Sequence, residues 1–122
     1  MYARLEDVRG TVILMRDQGG KVFGAYCTEP WRTRAGYYGN GETFVFDFAP
    51  HFRRFAWTGD NSFFMMSSAD ALAVGGGTNF ALFVDKQILN GTSGACSTFS
   101  SPRLSSTDQF QVGLFEVWGS NV

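Results

Sequence analysis

The chain has 122 residues and a mass of 13.5 kDa, the size of one domain, long enough to bury a core without metal or disulfide staples. Apolar residues at 44% against 17% charged exclude a disordered chain, and a net charge of −1 excludes a strong electrostatic grip on nucleic acid or an anionic membrane. The 13 Phe and 15 Gly favour strands and turns, so composition alone points to a mainly β domain.

The first expected strand covers residues 11–16, with Val12 and Leu14 on one face and Ile13 and Met15 on the other. A second, residues 21–27, is also apolar on both faces, and Asp17-Gln18-Gly19-Gly20 between them reads as a hairpin connection. Residues 28–41 form a long loop with aromatics, arginines and three glycines, a common setting for function. Residues 42–48 alternate, with Phe44, Phe46 and Phe48 on one face, and residues 52–58 resume the pattern after Pro50. Further strands are expected at 62–66, 72–74 and 80–85, then an irregular Ser/Thr/Gly-rich stretch over 90–107 and a last strand at 110–118. No window has the period of an amphipathic helix. Strands about ten residues apart, joined by turns, predict a two-sheet antiparallel β-sandwich.

Several motifs fail on their own chemistry. The triple glycine at 75–77 lacks a Gly-Lys-Ser/Thr end, so it is no phosphate loop. Residues 21–26 lack the glycine that an RNA-binding aromatic strand carries after its basic residue. A lone histidine, His51, cannot build a zinc site with two remote cysteines, so no metal and no cofactor are expected. Cys27 and Cys96 have no Cys-x-x-Cys spacing; buried reduced thiols are favoured over a disulfide or redox pair. No apolar run approaches the roughly 18 residues that cross a bilayer, and the start has no secretory pattern. Neither nucleic-acid binding nor membrane insertion is expected.

Two carboxylates stand out. Glu42 has the parity of Phe44, Phe46 and Phe48, and Glu116 that of Phe110, Val112, Leu114 and Trp118. Burial on an apolar face raises a carboxyl pKa, one route to a general acid/base pair. The alternative, favoured on the residues alone, is a pair of structural anchors. A bulge at Gly113 would place Glu116 on the other face.

The segments Val22-Phe23-Gly24-Ala25-Tyr26, Pro30-Trp31-Arg32 and Gly36-Tyr37-Tyr38-Gly39-Asn40-Gly41-Glu42 resemble the TLDc domain of the oxidation-resistance proteins. So, in the same order, do Phe55-Ala56-Trp57-Thr58-Gly59, Val74-Gly75-Gly76-Gly77 and Leu114-Phe115-Glu116-Val117-Trp118-Gly119. The resemblance covers residues 11–119, leaving 1–10 as a lead-in and 120–122 as a tail, and the family's usual N-terminal helical part is expected to be missing. It implies an α+β family fold, a β-sandwich with short peripheral helices, in a eukaryotic, intracellular protein linked to oxidative stress. It also implies binding to the vacuolar proton ATPase, with Glu42 and Glu116 as carboxylates suspected of catalysis but no agreed reaction. The expected function is an interaction module that binds and regulates that pump. The alternative is an enzyme using Glu42 and Glu116. Trp31, Arg32, Tyr37 and Tyr38 are the candidate binding residues of the long loop. A cytoplasmic location is expected, with nuclear, mitochondrial or vacuolar and lysosomal pools through partners, and self-association through surface left open by the missing segment.

Overall fold

The hairpin at Asp17 starts the architecture. In the computed structural model, which describes residues 10–29, 36–48, 51–85 and 87–120, β1 (Gly10–Asp17) pairs antiparallel with β2 (Val22–Cys27). Asp17 N–H donates to the Lys21 carbonyl at 3.1 Å and its carboxylate accepts the Lys21 N–H at 3.0 Å. Gly20, at φ 91°, supplies the left-handed step that closes the turn. β3 (Phe44–Phe48) adds to β2, and β4 (Phe52–Ala56) adds to β3. A second run of short strands, β5 (Met65–Ser67), β6 (Ala71–Val74), β7 (Leu82–Asp85) and β8 (Asn90–Thr92), makes the other wing.

β9 (Gln109–Ser120) joins the wings. Its first three residues pair with β8 and its remainder with β1, giving one antiparallel sheet in the order β4-β3-β2-β1-β9-β8-β7-β6-β5. The mainly β fold is as expected. In place of two separate sheets the strands form one hydrogen-bonded sheet, because β9 is long enough to serve both wings. No helix occurs among the described residues. Both wings nevertheless bury one core: Ile13, Met15, Phe23 and Val45 belong to the same cluster as Met65, Val74, Leu82 and Val84, with Phe99 and Leu104 added from the irregular stretch.

Two features decide which face is inside. Pairing puts directly opposed residues on one face. Ile13 and Met15 are fully buried, and so are their partners Ala25 and Phe23 and, one strand further, Val45 and Asp47. Phe44, Phe46 and Phe48 therefore lie on the outer face, although their spacing alone resembles a core. The second feature is at β9, where Arg16 opposes Leu114 but Asp17 opposes Val112. Gly113 is the extra residue of a β-bulge, and it reverses the parity of everything after it. Phe110 and Val112 face the core before the bulge and Phe115 and Val117 after it, while Leu114, Glu116 and Trp118 turn outward.

Candidate functional site

The outer face of β4, β3, β2, β1 and β9 is a grid of three rows. Trp118, Val12, Tyr26, Phe44 and Ala56 form one row, Glu116, Leu14, Gly24, Phe46 and Arg54 the next, and Leu114, Arg16, Val22, Phe48 and Phe52 the third. A side chain at Gly24 would collide with the Ile13 carbonyl and the Phe46 ring, so glycine lets that ring lie flat across β2. Phe46 is thereby 6% exposed yet stands outside the core cluster, covered by its neighbours on the same face. Its centroid is 5.5 Å from Phe52, Phe48 and Phe52 are 5.2 Å apart, and Tyr26 stacks on Phe44 at 5.5 Å. The Arg54 guanidinium sits 4.3 Å from the Phe44 ring centroid. Phe48, Phe52, Leu114 and Trp118 remain 38–59% exposed, so the grid presents a large aromatic and aliphatic surface to solvent.

Glu116 lies in the middle row, half-buried, and accepts a hydrogen bond from Trp118 Nε1 at 3.2 Å. Glu42 is exposed at the turn before β3, where its N–H donates to Asn40 Oδ1 at 2.9 Å. Three inter-strand steps of about 4.8 Å put β9 roughly 14 Å from β3. The two carboxylates are not brought together, and neither lines the cleft of about 840 Å³ beside Tyr37, Gly76, Ser93, Arg103 and Asp108.

The carboxylates with built environments are two others. Asp47 is fully buried on the core face; Arg53 grips it through two hydrogen bonds of 2.8 and 2.6 Å, and Lys21 Nζ is 3.4 Å away. Burial pushes its carboxyl up, but the Arg53 hydrogen bonds and the Lys21 and Arg53 charges more than offset this and hold it below its ordinary value. Asp17 is held low in the same sense. Burial again works upward, against the Ser106 N–H at 2.6 Å, the Lys21 N–H and the Ser106 hydroxyl at 3.0 Å. Both are ionised anchors, one for the β3–β4 hairpin and one tying β1 to the segment before β9. The sequence signal for Asp47 was its parity with Val45 and an arginine placed across the hairpin.

The long loop contributes structure. Tyr38 exchanges two backbone hydrogen bonds with Met65, at 2.8 and 2.9 Å, and is buried; Tyr37 donates its hydroxyl to the Gly75 carbonyl at 3.2 Å and packs on Phe63. Burial, then the neighbouring Cys96, pushes the Tyr37 hydroxyl pKa up. A side chain at Gly41 would collide with Trp57, and the Thr28 hydroxyl accepts the Asn40 N–H at 3.0 Å. Trp31 and Arg32 lie outside the described residues. Cys27 and Cys96 are free and buried, and burial pushes the Cys27 thiol well above its ordinary pKa, which removes the reactive thiolate. Among the described residues no three His, Cys, Asp or Glu side chains gather as a metal site.

A domain whose described elements are all strands, with an aromatic outer face and glycine-locked loops, is the class this geometry defines. The family model of the TLDc domain matches residues 1–121, and the chain belongs to that family. Oxidation resistance protein 1 of Homo sapiens is 44% identical over 108 residues, covering 88% of this chain and 12% of that protein. The same protein of Rattus norvegicus is also 44% identical over 108 residues, or 88% of this chain and 13% of its own length. Nuclear receptor coactivator 7 of Homo sapiens is 41% identical over 120 residues, covering 97% of the chain and 13% of that protein. The chain thus spans about an eighth of the relatives it matches.

Proposed function

We propose that this TLDc domain takes part in protection against oxidative stress as an interaction module that binds and regulates the vacuolar proton ATPase. The stress role follows the relatives named oxidation resistance protein 1, and the pump is the partner that the family resemblance implies. The observation that carries the module reading is the outer grid. Phe48, Phe52, Leu114 and Trp118 are exposed on one sheet face around a nearly covered Phe46. Exposed apolar side chains gathered on one face mark protein–protein contact sites, and aromatic anchors dominate such interfaces. The reading places the domain in the cytoplasm, where it meets the pump's soluble subunits, with pools at vacuolar or lysosomal membranes held through that partner.

The enzyme alternative needs Glu42 and Glu116 to act on one bond, and in glycoside hydrolases, which work through such a pair, the two carboxyl groups lie within about 10 Å. Glu116 is on β9, three strand steps from β3, and Glu42 is in the turn before β3. The test is peroxide survival of cells that depend on the protein, complemented with parent, Glu42→Gln or Trp118→Ser. Protection is expected to persist in Glu42→Gln and to fall in Trp118→Ser. A Glu42→Gln protein that melts like the parent yet gives no protection would replace the module with the enzyme.

A further inference from the structure

We propose that the open edge of β4 receives an extended segment of a partner protein as an added strand, with a carboxylate facing Arg54 and an apolar residue facing Phe52. This deepens the interaction-module reading and rests on it, naming the chemistry of the partner.

A sheet has two edges. At the β5 edge, Met65 already exchanges both backbone hydrogen bonds with Tyr38. At the β4 edge, β3 lies on one side and, among the described residues, no strand lies on the other. Native proteins blunt such edges with proline, bulges or charge. β4 has neither proline nor bulge; its five residues pair with β3 in unbroken register, and Phe52 stands exposed on it. Its charges are the two arginines, and they are not equivalent. Arg53 is committed to Asp47 on the inner face. Arg54 is exposed on the outer face, lies over the Phe44 ring, and has no carboxylate partner among the described residues.

The alternation of a strand converts this into a recognition pattern. Phe52, Arg54 and Ala56 share the outer face, so an added strand presents to them residues two apart. The residue opposite Arg54 gains from negative charge, and the one opposite Phe52 from an apolar side chain packing beside the Phe48 and Phe52 rings. Backbone hydrogen bonding supplies affinity and this spacing supplies specificity, the usual division in strand addition. A second copy of the chain is the wrong occupant. Two β4 edges side by side about a two-fold axis would bring Arg54 of one copy towards Arg54 of the other, like charge against like.

The test is a nuclear magnetic resonance titration of the domain with short synthetic peptides. Each has a central glutamate or lysine, threonine on either side and valine two residues away. The glutamate peptide is expected to bind roughly tenfold tighter, a difference of about 1.4 kcal/mol, and to protect from exchange the amides within Phe52–Ala56 that point away from β3. N-methylation at alternate peptide residues should abolish binding in one phase and spare it in the other, because a strand offers one edge to β4. Arg54→Glu, provided it melts like the parent, should prefer the lysine peptide. No binding, equal binding of both peptides, perturbation confined to other strands, or protection of β4 that grows with domain concentration without peptide would each overturn the proposal. Pump binding is not read in this experiment, so the proposal and the functional reading fail separately.

Discussion

Phe23 and Phe46 are both buried phenylalanines in adjacent strands, yet their truncation should cost very different amounts. Phe23 is 0% exposed, part of the core cluster, and edge-on to Phe110 with centroids 5.3 Å apart. Phe23→Ala leaves a sealed cavity between the wings and should cost about 4 kcal/mol. At this chain length that lowers Tm by roughly 16 °C, at about 4 °C per kcal/mol. Phe46 is 6% exposed but lies outside the core cluster, against outer-face rings that include the exposed Phe48 and Phe52. Those rings can close over the gap or admit water, so no sealed cavity forms and Phe46→Ala should cost about 2 kcal/mol. The assay is thermal unfolding by circular dichroism with urea titration of the same variants. Equal losses would mean that the outer grid is a second closed core, and the accessible interaction face would be wrong.

Four further outcomes follow from the same geometry. Gly113→Ala should be tolerated within about 1 kcal/mol, since its Cβ would meet nothing closer than the Arg16 carbonyl at 3.3 Å. Deleting Gly113 should remove cooperative unfolding, because it turns Glu116 and Trp118 inward and Phe115 and Val117 outward; a cooperative melt in the deletion would refute the bulge. Asp17 and Asp47 titrate below their ordinary value of 3.8, so their stabilisation is complete above that pH and is lost as pH falls through the lower folded values. Urea midpoints measured downward from neutral pH should therefore drop below about pH 4, with a shallower fall in Asp17→Asn; an unchanged slope would remove Asp17 from the acid response. Alkylation followed by mass spectrometry should find Cys27 and Cys96 unmodified until the domain unfolds, and rapid labelling of Cys27 in the native state would contradict its burial.

The strands were legible in the sequence because alternation and turn residues are local signals. The 17–20 hairpin, the β3–β4 hairpin and the last strand all lie where the pattern put them. Sidedness was less legible. Phe44, Phe46 and Phe48 mark a strand face, but with apolar residues on both faces periodicity cannot say which one meets the core. Asp47 in phase with Val45 argues against an inner face there until Arg53 and Lys21 are seen around it. Glu116 shows the same limit. Parity carried from Phe110 puts it inside, and only the bulge, signalled by glycine within a strand, puts it outside. That β9 serves both wings depends on pairing between distant segments, which no local period encodes.

The most direct test is equilibrium binding of the purified domain to purified vacuolar proton ATPase, with Trp118→Ser and Glu42→Gln measured beside the parent. Trp118 is 59% exposed on the outer grid and Glu42 is exposed away from it, so both variants should fold as the parent does. The expected result is saturable binding by the parent and Glu42→Gln, weakened about tenfold in Trp118→Ser, the loss typical of an aromatic anchor. No saturable binding by the parent, or equal binding by all three proteins, would contradict an interaction module that works through this face.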